Sequence, residues 1–317
     1  MKRKQWLADR RNGIGASEAA AVLGLSPWQS RYALWAEKTG MVEPVDDPAM
    51  EERFMVGKLM EPIIAKLFTR KTGIKVWRNT RNAIVRNTDY PWMFATLDGI
   101  TASGVSPGEV WEAKTADAWT AAKWRGGVPE EIWIQVQHQM ACQYTTGAWV
   151  AAFRNLTVEA FRVERDEEFI RDLIAREREF WTLVETKTPP EIDGHDATTE
   201  ILKRRPQEDQ DIIALPFEAA EKHCTRRRLS AEMKERKDEC DAIDNRFRDW
   251  IDTHKGGWLI DPVTGKRTQY TLTEIAGREW LEVPPGYAPV LTEQRVEFVE
   301  KQRKGTRKLN PPKEGAK

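Results

Sequence analysis

The chain has 317 residues with 50 basic and 50 acidic side chains, so its length allows one full domain plus a smaller one, and its zero net charge favours no class of partner. Its 3 cysteines, in no CxxC arrangement, exclude a disulfide framework and a four-cysteine zinc or iron–sulfur site, and they fit a reducing cytoplasm. Since the basic N-terminus lacks the apolar stretch of a signal peptide and no apolar window approaches membrane length, we expect a soluble, cytoplasmic protein without membrane contact.

The first part of the chain has the pattern of three helices. Two short helices are predicted from Ser17 and from Ser30, because each begins at a serine that can cap and ends at a glycine that tolerates the left-handed conformation. A longer helix is predicted after Pro48, since apolar residues recur at helical spacing until Gly73. Glu61 lies within this third helix.

Four segments of strand character follow, separated by Asn, Asp, Gly, Ser and Pro residues that favour turns. They begin at Ile74, Asn82, Trp92 and Glu109. We expect them to form an antiparallel ribbon. The next predicted elements are a helix from Pro129 to Gly147, strands "AWVAAFR" and "LTVEAFRVE", and an amphipathic helix from Asp166 to about Thr186. This order of helices and strands predicts an α/β fold.

The composition changes after residue 190. We predict a first domain over 1–190, a linker over 191–205, a helical and β-hairpin region over 206–285, and a basic, disordered tail over 286–317. Apolar residues recur among dense alternating charges from Phe217 to Ile251, which predicts one or two long solvated helices. A hairpin is predicted around Thr264 and Gly265.

Charged residues interrupt two of the apolar strands. Asp98 ends one of them, and Glu112 and Lys114 lie two apart in the next, so both project to one side while Ala113 points into the core. If Asp98 lies on the neighbouring strand, two carboxylates and a main-chain carbonyl form an all-oxygen site, which suits Mg²⁺ or Mn²⁺. Glu61, on a helix over the sheet, would supply a further oxygen directly or through water.

Such a site matches phosphodiester hydrolysis, because metal ions ionise the attacking water, stabilise the extra negative charge and hold the leaving oxygen. Lys114 would orient the water, or act as its base if burial and metal charge lower its pKa. By itself the D…ExK pattern favours a structural salt-bridge set. The strand end at Asp98, the helix that bears Glu61 and the Gln-rich helix that follows favour the metal site instead.

Several blocks of sequence occur in the order typical of one family. They are "RNGIGASEAAAVLGLSPWQSRYALWAEKTG", "GKLMEPIIAKLF", "FATLDG", "WEAKTA" and "IQVQHQMACQ", over about residues 10 to 155. With them the chain resembles the YqaJ-type viral recombinase family, the group of phage-type nucleases that includes lambda exonuclease, within the PD-(D/E)xK nuclease superfamily. The resemblance implies a restriction-endonuclease-like PD-(D/E)xK core, a mixed central sheet flanked by helices, with the C-terminal region as an extension.

The resemblance also implies a role for each residue of the metal site. Asp98 and Glu112 would bind the catalytic metals, two Mg²⁺ or Mn²⁺ ions, and Ala113 would lend its carbonyl. Lys114 would serve the nucleophilic water. Glu61 would complete the outer part of the site.

Further positions follow from the same resemblance. Gln135 would support the site from the following helix, and Arg11 and Ser17 match positions that bind the 5′-phosphate of the degraded strand. Where the family often has a tyrosine, this chain has Ile132, so any hydroxyl role there is lost. His138, one helical turn past Gln135, is interpreted as a hydrogen-bonded packing residue.

A basic segment leads from the third helix into the strands. Residues 62–88 contain seven basic side chains and no acid. This pattern is typical of a surface that binds a polyanion. We therefore predict Lys75, Arg78 and Arg81 as contacts of the DNA backbone.

The predicted function is a Mg²⁺-dependent deoxyribonuclease, an exonuclease that degrades linear duplex DNA from the 5′ end and leaves 3′ single-stranded tails for phage-type recombination. The polarity follows from the resemblance alone, as do three partners: duplex DNA ends, further copies of the chain in a homo-oligomer such as a trimer, and a single-strand annealing protein. One alternative is an endonuclease with the same metal site. A second is a DNA-end binding scaffold without turnover, and a third is a helical interaction protein that uses residues 217–251.

Overall fold

The computed structural model describes residues 10–42, 48–102, 108–116, 121–205, 212–260, 267–275, 279–282, 299–302 and 306–310. The chain divides into two compact units, Met1–Asp209 and Gln210–Lys317. Among the helices of the described residues, none combines the length and the apolar character needed to cross a membrane.

The first unit alternates helices and strands as the sequence predicts. Its helices are α1 Ala19–Val22, α2 Arg31–Lys38, α3 Pro48–Thr72, α4 Glu130–Gln143, α5 Glu167–Glu185 and α6 Asp196–Lys203. Its strands are β1 Ile14–Gly15, β2 Lys75–Arg78, β3 Ile84–Arg86, β4 Met93–Thr96, β5 Gly99–Ala102, β6 Val110–Thr115, β7 Gly147–Arg154 and β8 Thr157–Glu164. The predicted α/β class is confirmed.

The helix ends follow from local chemistry. Ser30 caps α2, since its hydroxyl accepts from the Ala33 N–H at 2.9 Å, and Gly40 beyond its end takes a φ of +72°. Helix α4 ends at Gln143, short of the predicted Gly147, because Tyr144 adopts the left-handed conformation at a φ of +56°.

A five-stranded mixed sheet forms the centre of this unit. The strand order is β2–β5–β6–β7–β8, with β6 and β7 parallel and the other pairs antiparallel. A separate three-stranded sheet has the order β1–β4–β3. The four strand segments after α3 therefore do not form one ribbon as predicted, because the chain leaves the small sheet after Thr96 and enters the central sheet at Gly99.

Helices cover both faces of the central sheet. On one face, Phe68 of α3 packs against Trp111 of β6, with ring centroids 6.1 Å apart. On the other, α4 and α5 enclose a core that contains Val110, Val136 and Leu173. Trp111 is fully buried in this layer, and alternation along β6 turns Glu112 toward α4 on the other face.

Two regions of the first unit differ from the sequence-based expectation. Helix α3 leaves Phe54, Leu59 and Ile63 exposed, although their helical spacing is typical of a buried stripe. Residues 191–205, the predicted linker, instead contain α6, and the buried Ile201 of this helix packs with the core around α2. An apolar side chain fixes this segment to the first unit, and the division falls after Asp209.

The described residues of the second unit form one helix, α7 Glu218–Ile251, and five strands: β9 Gly256–Ile260, β10 Arg267–Ile275, β11 Glu279–Glu282, β12 Val299–Gln302 and β13 Thr306–Asn310. Strand β10 pairs antiparallel with β9 and β13, and β11 pairs antiparallel with β12. The strands of the predicted hairpin are confirmed, while its turn at Thr264 and Gly265 lies outside the described residues. Within the predicted tail over 286–317, the described residues form β12 and β13, and the rest of that range lies outside the described residues.

Candidate active site

Two adjacent strands bring the predicted acids together. Asp98 immediately precedes β5, and β5 pairs antiparallel with β6, with Gly99 opposite Trp111. The glycine is required here, because a Cβ atom at position 99 would lie 2.8 Å from the main-chain oxygen of Trp77. The Asp98 carboxylate accepts the N–H of Ala113 at 2.9 Å through Oδ2, which fixes it beside the centre of β6.

Glu112 is held by two amides and an ammonium group. Its Oε1 accepts from Gln135 Nε2 at 2.7 Å and lies 2.7 Å from Lys114 Nζ, while its Oε2 accepts from Gln139 Nε2 at 2.7 Å. Lys114 also donates to Gln135 Oε1 at 2.9 Å. Gln135 thus bridges the acid and the lysine, and the buried Glu112 carboxylate is fixed in one orientation.

The electrostatics of the site disfavour a second negative charge. Burial and the neighbouring Glu112 charge raise the pKa of Asp98 from 3.8 to about 8, although Lys114 and the Ala113 N–H act in the opposite direction. Burial opposes the ammonium form of Lys114, but the charges of Glu112 and Asp98 raise its pKa overall. The single positive charge of Lys114 therefore does not balance the negative charges of both carboxyl groups, Asp98 and Glu112, when both are ionised.

Glu61 lies on α3 and is buried. Its carboxylate lies 3.1 Å from Lys58 Nζ and 3.6 Å from Arg78 Nη2. Its charge contributes to the raised pKa of Asp98, so the two acids are electrostatically coupled. The basic residue predicted as a DNA contact at position 78 is thus directed toward this acid.

The donor set fits a hard divalent cation. Asp98 and Glu112 offer carboxylate oxygens, and a cation between them would relieve the repulsion that raises the pKa of Asp98. Within the described ranges, no three His, Cys, Asp or Glu side chains are grouped closely enough to hold a metal by themselves. A site with two carboxylates, the Ala113 carbonyl and water, with Glu61 acting through water, agrees with that arrangement.

The turn that contains "GIGASE" is built around a buried ion pair. Glu18 lies 2.8 Å from Arg10 Nη2 and 2.6 Å from Lys38 Nζ. Although burial alone would raise the pKa of Glu18, these two cations lower it to about 2. Glu18 also accepts the N–H of Gly15 at 2.8 Å, so this N–H is not available to a phosphate.

The predicted phosphate ligands lie at the surface of this turn. Arg11 and Ser17 are both exposed, and the Ser17 hydroxyl accepts from Arg10 Nη2 at 3.3 Å. The turn packs against α4, the helix that carries Gln135. The chain therefore links the predicted phosphate-binding positions to the acid site through one helix.

The remaining predicted positions are exposed or structural. Lys75 and Arg81 are exposed, and Ile132 is partly buried against the core. His138 is fully buried, with Nδ1 2.8 Å from Glu177 Oε1 and Nε2 3.0 Å from the Phe94 oxygen. Its interpretation as a packing residue agrees with these contacts.

Sequence reasoning missed several residues that shape the site. Gln139 lies four residues after Gln135 in "QVQHQ", and this helical spacing places both amides on one face. The spacing was therefore a usable signal. No sequence signal marks Glu18 and Lys38 as partners, because their pairing depends on how α2 packs against the N-terminal turn.

Replacement of Asp98 by asparagine is expected to stabilise the metal-free protein at alkaline pH. A carboxyl with a raised folded pKa stabilises the fold fully below its unfolded pKa of 3.8, and this contribution is lost as the pH rises through about 8. The variant avoids the loss, so its advantage should grow from near zero at pH 4 to several kcal/mol at pH 8.5, because each pKa unit between 3.8 and about 8 is worth about 1.4 kcal/mol. Thermal unfolding in EDTA at both pH values measures it.

Magnesium provides the matched control for this stability difference. At pH 8.5 added Mg²⁺ should raise the melting temperature of the wild type more than that of Asp98→Asn, because only the wild type offers both carboxylates. An advantage of the variant that is the same at pH 4 and pH 8.5 would show that Asp98 titrates as an ordinary acid.

Three comparisons relate the chain to known proteins. The YqaJ-like viral recombinase domain family matches residues 5–148. "Uncharacterized protein YqaJ" of Bacillus subtilis (strain 168) is 34% identical over 225 residues, which are 69% of this chain and 68% of that protein.

Among solved structures, the alkaline exonuclease LHK-Exo from Laribacter hongkongensis is similar over 64% of this chain and 97% of its own, with 22% identity and a TM-score of 0.48. The structure of LHK-Exo in complex with dAMP is similar over 58% and 93%, with the same identity of 22% and TM-score of 0.48.

Proposed function

Because this chain belongs to the YqaJ-like viral recombinase domain family, we propose that it is a metal-dependent DNA exonuclease that hydrolyses one strand of linear duplex DNA. In this proposal, degradation runs 5′ to 3′ and leaves 3′ single-stranded tails for recombination. The observation that carries the proposal is the Asp98–Glu112 pair, whose excess negative charge a divalent cation would balance.

Asp98 and Glu112 would hold Mg²⁺ or Mn²⁺ with the Ala113 carbonyl, and Glu61 would reach the ion through water. When bound, such an ion activates water and stabilises the charge that develops on the phosphate. The resemblance to phage nucleases implies two such ions, with Asp98, Glu112 and Glu61 as their carboxylates.

Lys114 acts as a fixed cation beside the reacting phosphate. Since the charges of Glu112 and Asp98 raise its pKa, Lys114 keeps its proton in the metal-free protein. It therefore orients water and balances charge, and the role of general base would require metal to reverse that shift. Gln135 holds the Nζ atom in place through its Oε1 at 2.9 Å.

Recognition of the DNA end is assigned to the N-terminal turn. Arg11 and Ser17 would bind the 5′-phosphate, and the buried ion pair of Glu18 with Lys38 holds the turn that presents them. An arginine and a hydroxyl are suitable donors for a terminal phosphate. Lys75 and Arg81 would contact the backbone further along the duplex.

The partners follow from this activity. Duplex ends are the substrate, and a single-strand annealing protein would bind the 3′ tail that the reaction exposes. Assembly into a homo-oligomer, such as a trimer, would enclose the duplex and keep the enzyme on it. We place the reaction in the cytoplasm of a bacterial or phage-infected cell.

The test uses purified full-length protein on three substrates: linear duplex with a 5′-phosphate, linear duplex with a 5′-hydroxyl, and closed circular duplex. The expected result is Mg²⁺-dependent release of acid-soluble nucleotides from linear DNA only, fastest with the 5′-phosphate and abolished by EDTA. End-labelled strands then give the polarity of degradation.

Two other outcomes would replace the proposal. Cutting of the circle identifies an endonuclease, because a circle offers no end to an exonuclease. Tight DNA binding without cleavage of any substrate, in Mg²⁺ or Mn²⁺, identifies a DNA-end binding scaffold.

A further inference from the structure

Trp77 lies on the edge strand of the central sheet with 72% of its surface exposed. Its neighbours in β2 face the other way: Val76 packs with the α3 core, and Arg78 points to Glu61. Alternation along the strand therefore puts Trp77 and the exposed Lys75 on the opposite face of the sheet. No ring contact fixes the indole among the residues that the structure describes.

The strand register places Trp77 on the same face as the acid site. Trp77 lies opposite Ile100, and Ile100 lies opposite Val110, so these three side chains share a face. Two residues along, the next positions on that face are Asp98 and Glu112. The Asn79 main-chain N–H donates to the main-chain carbonyl oxygen of Asp98 at 2.9 Å, so the pairing of β2 with the β5 segment continues as far as Asp98. The indole is therefore displaced by about 7 Å along the strands from the carboxylates.

The surroundings of Trp77 complement a nucleic acid strand. Lys75 and Arg81 are exposed on either side of it in sequence, and residues 62–88 contain no acid. A flat aromatic face flanked by cations is the combination that binds single-stranded nucleic acid, because bases stack on the ring while cations hold the phosphates. The exposed Lys75 and Arg81 beside the ring match the phosphates of a DNA strand, whose backbone carries a negative charge at every nucleotide.

We propose that Trp77 is a stacking platform for a base of the strand that is being cleaved, one nucleotide from the reacting phosphate, with Lys75 and Arg81 on its backbone. This inference rests on the proposed function, since it takes a DNA strand to the acid site. Stacking there would hold an unpaired base apart from its complement and would keep the scissile phosphate in register with Asp98 and Glu112.

The test compares Trp77→Ala with Trp77→Phe, which keeps an aromatic face, and with Leu156→Ala. Leu156 is 88% exposed in the β7–β8 turn at the opposite edge of the sheet, so it controls for the loss of an exposed apolar side chain. Binding of a fluorescent 12-nucleotide single strand is measured by anisotropy in Ca²⁺ over a range of salt concentrations. Turnover of linear duplex is measured in Mg²⁺.

Trp77→Ala should weaken binding of the single strand at least about fivefold, with most of the affinity retained in Trp77→Phe and all of it in Leu156→Ala. Its salt dependence should equal that of the wild type, because stacking releases no counterions, whereas Lys75→Glu/Arg81→Glu should flatten it. In turnover, KM should rise more than kcat falls.

Unchanged binding and KM in Trp77→Ala would overturn the stacking role, even if the wild type degrades linear DNA as proposed. Unchanged binding with a shift in sedimentation coefficient would assign Trp77 to an interface between protein chains instead. If the wild type cleaves nothing, the proposed function fails, and the binding comparison still decides whether Trp77 stacks on DNA.

Discussion

Glu112→Gln is expected to lower kcat on linear duplex by at least about 10³-fold while the folded protein remains as stable as the wild type. The loss follows because a neutral amide removes one of the two carboxylates that balance the catalytic cation, and such stabilisation is worth several kcal/mol in the transition state. KM should change far less, since Glu112 is buried and the DNA contacts assigned to the exposed Arg11, Ser17, Lys75 and Arg81 are unchanged.

The surrounding amides can accommodate this substitution. Glu112 Oε2 accepts from Gln139 Nε2, so an NH₂ group at that position would meet a donor. Gln139 Oε1 has no hydrogen-bond partner within the described residues, and rotation of its amide by half a turn presents this acceptor instead. Oε1 of the new side chain still accepts from Gln135 and Lys114. The variant should therefore fold normally.

The measurement pairs Glu112→Gln with Glu159→Gln. Glu159 lies on β8 and bonds Arg154 at 2.7 Å, at the sheet edge opposite β2. The Glu159→Gln substitution removes one negative charge, as Glu112→Gln does, but it leaves the acid site unchanged. Both variants are assayed for release of acid-soluble nucleotides and for thermal unfolding. Retention of more than about a tenth of wild-type kcat by Glu112→Gln would exclude this carboxylate as a catalytic ligand.

The acid site was predictable from the sequence because it depends on local periodicity. Alternation in "EVWEAKT" places Glu112 and Lys114 on one face, and "LDG" marks the strand end at Asp98. The spacing of Gln135 and Gln139 on α4 is equally local. These relations are local, but the pairing of β5 with β6, which brings Asp98 beside Glu112, is not. From the sequence that pairing was only a condition, which the structure fulfils.

Other features depend on contacts between segments that are distant in sequence, and the periodicity of residues along the chain does not predict such contacts. The apolar spacing of α3 predicts a buried stripe, yet Phe54 and Leu59 are exposed. Residues 191–205 have the composition of a linker, yet Ile201, together with Ala197 and Leu202, packs them against the core around α2. Arg78 points toward Glu61 and Trp77 points away from it because side chains alternate along β2. The pairing of β2 with β5 at the edge of the sheet places both residues beside the acids. Strand order, and not the composition of the basic segment, decides which of its side chains face the acid site.

The buried His138–Glu177 pair connects three elements around the acid site. His138 lies on α4 between Gln135 and Gln139 in sequence, Glu177 lies on α5, and Phe94 lies on β4, the strand that leads to Asp98. A carbonyl oxygen accepts only, so Nε2 donates to Phe94, and Nδ1 donates to the Glu177 carboxylate. Burial opposes the imidazolium, but the charge of Glu177 raises the pKa of His138 well above its ordinary value. The pair is therefore ionic.

Loss of either partner is expected to destabilise the fold by about 3–5 kcal/mol, because an uncompensated charge would remain in the core. Glu177 Oε2 already has no hydrogen-bond partner among the described residues, so removal of His138 would leave its carboxylate without the imidazolium. The double variant His138→Leu/Glu177→Met replaces both charges by apolar groups and should lose much less than either single variant. Urea unfolding of His138→Leu, Glu177→Met and the double variant gives the coupling energy directly.

The same variants separate stability from the positioning of α4. In the double variant the core is filled, but the bond from His138 to Phe94 is absent, so Gln135 and Gln139 lose a constraint that fixes them relative to Asp98. At a temperature where all of it is folded, its kcat should fall about tenfold with KM unchanged, since misplaced supporting groups cost catalysis more than binding. The alternative outcome is a double variant that loses as much stability as the two single variants together and keeps full kcat. The pair would then be a packing contact with no effect on the active site.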